Sequence, residues 1–182
     1  MKIQSSRFNI ILLLLGCLCL LAACKTTKLT PEEEALRKKY KQEKTMIQLH
    51  LGDAPSSSGR RVQIFRERPI DVVIDPIPFL DWRDIVDAQI VEEQYSGFAI
   101  QLQFTPHGRF VLDTVTSTHR GKPIAIQAQS SSGTRWLAAP LIMHRNASGL
   151  LTFTPDATRE EAEQLVYGIK NVSAEVRKQA HF

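Results

Sequence analysis

The sequence predicts an α+β fold: an antiparallel sheet with two main helices packed on one face, preceded by a charged helical stalk. Three observations carry this expectation. Phe98, Ile100, Leu102 and Phe104 alternate with Ala99, Gln101 and Gln103, the period-2 pattern of a strand with one face buried. Thr158-Arg-Glu-Glu161 is a Thr-x-x-Glu capping box, and Ala162, Leu165, Val166 and Ile169 follow it at helical spacing. Links of hairpin length join most of the candidate strands, which favours antiparallel pairing with the helices gathered on one side.

The elements follow in order. Thr30 is a good N-cap, Pro31 suits the first helical position and Glu33 completes a capping box. Glu32 to Glu34 sit at the positive end of that helix and Arg37 to Lys44 lie toward its negative end. Its few apolar residues, Ala35, Leu36 and Tyr40, give it little face to bury, so it reads as a charged stalk. Met46 to Leu51 alternates like a short strand, and residues 52–59 have the composition of a flexible loop. Val62 and Ile64, then Ile70 to Ile74, suggest two short strands limited to edges or ends by Pro69, Pro76 and Pro78. A turn of helix falls around Trp82 to Val86. Ala88 to Glu93 and Phe98 to Phe104 form a strand pair turning at residues 94–97.

Thr105-Pro106 opens a helix whose core side is expected to carry Phe110, Val111, Val115 and Thr118, with Gly121 beyond its end. Its threonines make it intrinsically weak, so it should depend on packing. Pro123 to Gln129 is a strand with Ile124 and Ile126 on one face. Ser130 to Gly133 is a turn, Arg135 to Met143 a strand interrupted by Pro140, and Leu150 to Phe153 a further short strand. Ser173 to Phe182 reads as a polar tail. The expected divisions are a leader at 1–23, a tether and loop at 24–60, a folded domain at 61–172 and a tail at 173–182.

The N-terminus carries its own signal. Lys2 and Arg7 precede an apolar run of 16 residues, Phe8 to Ala23, that ends in Leu21-Ala22-Ala23-Cys24. A bilayer-spanning helix needs roughly 20 apolar residues, whereas a signal-peptide core needs about 7–15 with small residues at the cleavage site. This resembles the bacterial lipoprotein signal. The resemblance implies cleavage between Ala23 and Cys24 and a diacylglyceryl group, with acyl chains such as palmitate, on the Cys24 thiol. Two or three acyl chains would hold the protein on a membrane, since each buried CH₂ contributes about 0.8 kcal/mol. Lys25 stands where an Asp would favour inner-membrane retention, which leans toward the outer membrane. The expected location is therefore the cell envelope, facing the periplasm.

The signal also limits the chemistry. Cys17 and Cys19 lie within the leader, so the mature chain would keep one acylated cysteine and could form neither a disulfide framework nor a cysteine-based zinc site. Of the formal charge of +4, Lys2 and Arg7 belong to the leader. The densest basic cluster, Arg37 to Lys44, contains Glu43 and follows Glu32 to Glu34. It reads as a solvated face and not as the basic stripe of a nucleic-acid binder.

Candidate catalytic groups are sparse. The histidines, His50, His107, His119, His144 and His181, do not fall at metal-ligand spacing. Ser130 to Ser132 lack a nucleophile elbow and ordered Asp and His partners. Asp71, Asp75, Asp81, Asp84 and Asp87 invite a paired-carboxylate reading but sit near prolines, where turn capping explains them. Arg135-Trp136 at a strand start is the candidate interaction surface; the alternative is a Trp136 ring packed over the sheet edge. Asn146-Ala-Ser148 and Asn171-Val-Ser173 match glycosylation acceptors, silent in a bacterial lipoprotein. No catalytic residue, metal ligand or cofactor is expected.

Four stretches in order carry a second resemblance: Phe98 to Gly108 with Thr114 to Thr118; Gly121-Lys-Pro-Ile-Ala-Ile126; Ala138-Ala-Pro-Leu-Ile142; and Phe153-Thr-Pro-Asp-Ala-Thr-Arg-Glu-Glu-Ala162 with Leu165 and Gly168. Together, over about residues 84–171, they resemble the head of the first periplasmic domain of SecD, the protein-export membrane protein. SecD proteins have several membrane-spanning helices and a tight Asp-Gly turn where this chain has Gln129 to Arg135, a longer hairpin tip. The resemblance implies a fold, a compartment and a non-enzymatic domain that binds an envelope or exported protein. Two other functions are compatible with the residues: a structural lipoprotein touching the cell wall through its stalk, and a hydrolase using Asp81, Asp84 and Asp87.

Overall fold

The computed structural model describes residues 30–52, 59–94 and 97–179. The chain divides into two compact units, Met1–Leu36 and Arg37–Phe182. In the first, the expected capping box opens helix α1 (Pro31–Lys39): Thr30 N donates to Glu33 Oε2 at 2.8 Å and Glu33 N to Thr30 Oγ1 at 3.3 Å. α1 carries three glutamates in its first turn, three basic residues in its last and no buried residue.

The second unit starts earlier than residue 61. Tyr40, expected on the stalk, is buried and stacks on Tyr167 with ring centroids 5.8 Å apart. Asn171 Nδ2 donates to Tyr40 O at 3.0 Å and to Glu43 O at 2.9 Å, fixing the turn that leads into β1 (Met46–Leu51). β1 is not an appendage. It lies inside a four-stranded sheet of order β4-β1-β7-β8, antiparallel to β4 (Leu80–Asp81) and β7 (Ile124–Ser130), with β8 (Gly133–Ala138) at the edge. Met46 pairs with Gln129 and Leu51 with Ile124. Ile47, Leu49, Ile124, Ile126, Ala128 and Leu137 enter the main core.

Among the described residues, the strands fall into three antiparallel sheets and not one. β2 (Arg60–Ile64) pairs with β3 (Ile70–Ile74) as a separate hairpin. β5 (Ile85–Glu93), β6 (Gly97–Phe104) and β9 (Leu150–Phe153) form the third sheet, with β6 central. Its inner face carries Ala88, Ile100, Leu102, Phe104, Leu151 and Phe153. The outer face carries Gln89, Gln101 and Thr152, bonded in a ladder: Gln89 Nε2 donates to Gln101 Oε1 at 2.8 Å and Gln101 Nε2 to Thr152 Oγ1 at 3.1 Å. Ala99, on that outer face opposite Val91, is nonetheless fully buried.

Helix α2 (Pro106–Thr118) is capped by Thr105, whose side chain accepts from Gly108 N. The face it buries is not the expected one. Gly108, Leu112 and Thr116 are buried, Val111 and Val115 only flank the core, and Phe110 and Thr118 are exposed. Thr116 is admitted because its hydroxyl is used twice: it donates to Leu112 O at 2.7 Å and accepts from Asn146 N at 2.8 Å. Thr114, Ser117 and Thr118 likewise bond back to carbonyls of the preceding turn, the use of hydroxyls that lowers helix propensity.

Helix α3 (Arg159–Gln179) begins at the second capping box, with Thr158 N donating to Glu161 Oε2 at 2.9 Å and Glu161 N to Thr158 Oγ1 at 3.2 Å. Ala162, Leu165, Val166 and Ile169 are buried as expected. The helix then runs through the expected 172/173 boundary. Ser173 is buried and donates to Ile85 O at 2.9 Å, and Arg177 Nη1 donates to Val86 O at 3.0 Å. These bonds hold the polar last turns against the start of β5, so residues 173–179 are helix and not tail; 180–182 lie outside the described residues.

Two smaller differences concern β8. It ends at Ala138, before Pro140. The hairpin at its start closes on Ser130 opposite Gly133, so the tip is a two-residue turn, Ser131-Ser132, and not a long one. Gly133 takes φ of 118° there, a conformation side chains rarely adopt.

Candidate functional site

The β2–β3 hairpin covers the second face of the four-stranded sheet. Val62, Ile64, Val72 and Ile74 form a separate cluster with Ala125, and Phe65, Trp136 and Ala139 pack against it. His50 lies in the same layer, since it pairs with Ala125 across β1 and β7. It is 5% exposed, its Nδ1 lies 2.8 Å from Asp75 O, and its ring meets Trp136 edge-on at 5.3 Å. Because a carbonyl only accepts, Nδ1 carries the proton, and Nε2 is left without a protein partner. Burial pushes the His50 pKa below its ordinary value, against the pull of the Asp75 carbonyl.

Beyond Ile64 the chain turns sharply. Phe65 has φ of 69°, unusual for a bulky residue, and the turn delivers Arg66 to the start of α3. Arg66 N donates to Asp156 Oδ2 at 3.0 Å and its Nε to the same oxygen at 3.2 Å. Its Nη1 and Nη2 donate to the two Glu161 oxygens at 3.2 and 3.0 Å. Arg135 Nη2 reaches Glu161 Oε2 at 3.3 Å, and Asp156 N donates to Leu137 O at 2.7 Å. Glu161 thus closes the α3 capping box and ties down two arginines, and its pKa falls to about 2, chiefly through the Arg66 hydrogen bonds.

Arg66, Arg135 and Asp156 of this network line a cleft of about 450 Å³ together with Gln63, Phe65, Pro69, Thr134 and Trp136. A second lobe of about 270 Å³ continues past Arg66 and Arg135 toward Ser130, Ser132 and Gln164. Arg135 and Trp136 are adjacent on β8 and turn to opposite faces, as strand neighbours must. Arg135 engages Glu161 and Trp136 lies toward His50. They do not stack as one cation–π patch, but both line the cleft.

The other candidates are dispersed. Ala23, Cys24 and His181 lie outside the described residues. Asp81 and Asp84 form a capping box around the 3-10 turn Trp82–Asp84, Asp75 Oδ1 accepts from Ile77 N at 2.9 Å, and Asp87 Oδ1 accepts from Ala88 N at 2.9 Å. These aspartates serve turns and a strand, and Asp71, within β3, pairs with Arg61 of β2 at 3.5 Å. His107 Nδ1 lies 2.8 Å from Asp84 Oδ1 on an exposed helix end. Ser131 Oγ donates to Glu43 Oε2 at 2.6 Å. Among the described residues, no three His, Cys, Asp or Glu side chains converge as metal ligands. No helix among them is long and apolar enough to cross a membrane.

No protein-family model matches the chain, and no curated protein matches it. Solved structures do. One is a structure of SecDF, a membrane component that enhances protein export: the TM-score is 0.52 at 20% identity, over 81% of this chain and 71% of that one. The chain shares the fold of a part of SecDF. A second structure, SecDF in its super-membrane-facing form, matches with a TM-score of 0.55 at 19% identity, over 79% of this chain and 21% of that one. The ordered motifs between Phe98 and Gly168 therefore lie in a SecDF-like fold, and the likeness reaches well beyond them. The Arg66–Glu161 network was not legible in the sequence, where its partners stand far apart with no shared motif.

Proposed function

We infer that this protein is a lipid-anchored bacterial envelope protein whose folded unit binds other protein chains and performs no catalysis. The carrying observation is the fold shared with SecDF, which enhances protein export. The Leu21-Ala22-Ala23-Cys24 sequence supports an anchor on Cys24 with the domain facing the periplasm, and Lys25 favours the outer membrane. The aspartates that invited a hydrolase reading are engaged with backbone groups at turns, and this supports binding over hydrolysis. The chains bound are exported or envelope proteins, met at the cleft that Arg135 and Trp136 line.

The test is in-cell photocrosslinking of the full chain. A photoreactive residue at the exposed Thr134 is compared with others at Phe110 and Gln89, which lie outside the cleft. Capture of exported or envelope proteins from Thr134 is expected. No capture from any position would end the reading. Cys24→Ala should abolish lipid attachment and membrane retention, read by labelled palmitate and fractionation; unchanged labelling would remove the anchor.

A further inference from the structure

The cleft is bounded by a strand edge. β8 is the last strand of its sheet. An antiparallel strand uses half of its backbone groups on each side, so β8 directs one set to β7 and the other outward. The outward edge already accepts a main-chain donor from beyond the sheet, Asp156 N to Leu137 O at 2.7 Å. Thr134 to Trp136, the stretch before it, lines the cleft. β2 passes close to β8, yet its ladder partner is β3.

The other edges of the two larger sheets are guarded. β4 has two residues and β9 four, lengths that offer little template. The start of β5 is capped by Ser173 and Arg177 through the carbonyls of Ile85 and Val86, and Glu92 and Glu93 charge its far end. β8 is six residues long, and its Thr134 to Trp136 stretch opens into a walled space.

The walls define the occupant. A strand laid along β8 turns successive side chains to opposite faces. Those level with Trp136 meet Trp136, Phe65 and Pro69. Those level with Arg135 meet Arg66, Asp156 and Glu161, two cations with Arg135 and two anions already engaged with one another. That side is polar and balanced in charge, so it calls for neither an anion nor a cation.

We propose, resting on the protein-binding reading above, that partner chains enter this cleft as an extended strand added to the free edge of β8, with apolar and uncharged polar residues alternating. Main-chain hydrogen bonds supply the affinity and the alternate walls the selectivity.

The test uses the full chain in detergent micelles and a fluorescein-labelled eight-residue peptide of alternating Val and Thr. Two further peptides carry N-methyl groups on the odd or on the even backbone amides. Only one set of amides can face β8, so one methylated peptide should lose at least tenfold in affinity by anisotropy while the other stays within threefold of the parent. Hydrogen exchange of bound protein should slow within residues 134–136. Equal behaviour of the two methylated peptides, or no binding of the parent, overturns strand addition. If the parent fails while crosslinks from Thr134 still capture envelope chains, strand addition alone falls; if crosslinking also fails, the protein-binding reading falls with it.

Discussion

Gly168 of α3 rests directly against Thr45, the residue leading into β1, with no room for a methyl group between them. A Cβ on Gly168 would lie 2.9 Å from both Thr45 Cβ and Thr45 N and closer still to Thr45 Oγ1. Thr45 is itself 1% exposed, so neither side can yield cheaply. Gly168→Ala is therefore expected to destabilise the unit by about 2 kcal/mol or more, despite the better helix propensity of alanine. Urea unfolding measures it; a neutral or stabilising result would mean that α3 and β1 are not packed this tightly.

The rotation of α2 makes a paired prediction. Leu112 is fully buried and Phe110 is 69% exposed. Leu112→Ala should cost about 3 kcal/mol, and Phe110→Ala less than about 0.5 kcal/mol. From the sequence alone Phe110, and not Leu112, is expected on the core side. What decides the face is the Gly108-Leu112-Thr116 stripe, in which a glycine admits close approach and a threonine satisfies its hydroxyl within the helix.

His50 sets a pH dependence. Its folded pKa lies below the ordinary 6.5 because burial disfavours the charged ring. The unfolded chain therefore takes up the proton first as pH falls. The stability that neutral His50 contributes is complete above about pH 6.5 and is lost as pH drops below that value through the folded pKa. Arg60 of β2 adds to the penalty, while Asp75 opposes it. Melting temperatures of wild type and His50→Gln between pH 7.5 and 5 should converge on acidification, since the variant lacks this titration. Parallel curves would show that His50 does not hold the hairpin in this way.

Glu161 titrates lower. Its pKa of about 2 against an ordinary 4.5 means that its contribution is whole above pH 4.5 and disappears as pH falls toward 2. Its side chain is 37% exposed, so solvent screens much of the attraction. Glu161→Gln keeps the capping geometry and should cost about 0.5–1 kcal/mol at neutral pH. Salt titration should shrink the difference between the two proteins, and a difference indifferent to salt would count against an ionic origin.

Local chemistry was legible in the sequence where the responsible residues are neighbours. Both Thr-x-x-Glu boxes close as expected, and the strands at Met46–Leu51 and Leu150–Phe153 carry the expected bounds. The helical stripe Ala162-Leu165-Val166-Ile169 is buried as its spacing implied. Relationships across long separations were not legible. Nothing in Arg60–Ile74 announces a hairpin laid over His50 and Trp136, because alternation states that one face is buried and not against what. Arg66 could not be joined to Asp156 and Glu161, since exposed-looking charges carry no periodic signal. The last turns of α3 looked like a tail because Ser173 and Arg177 meet the β5 backbone through polar atoms.

The placement of β1 between β4 and β7 has a consequence in time. Met46 cannot find Gln129 until most of the chain exists on the same side of any barrier it crosses. Such distant pairings slow folding, since the intervening loop must close before contacts repay its entropy. Among the described strands, β1 is thus one of the last to be fully satisfied. A chain delivered N-terminus first could set Leu49 against Leu80 of β4 early, but Ile47 would wait for Ala128, and the sheet would be sealed only once β7 had arrived.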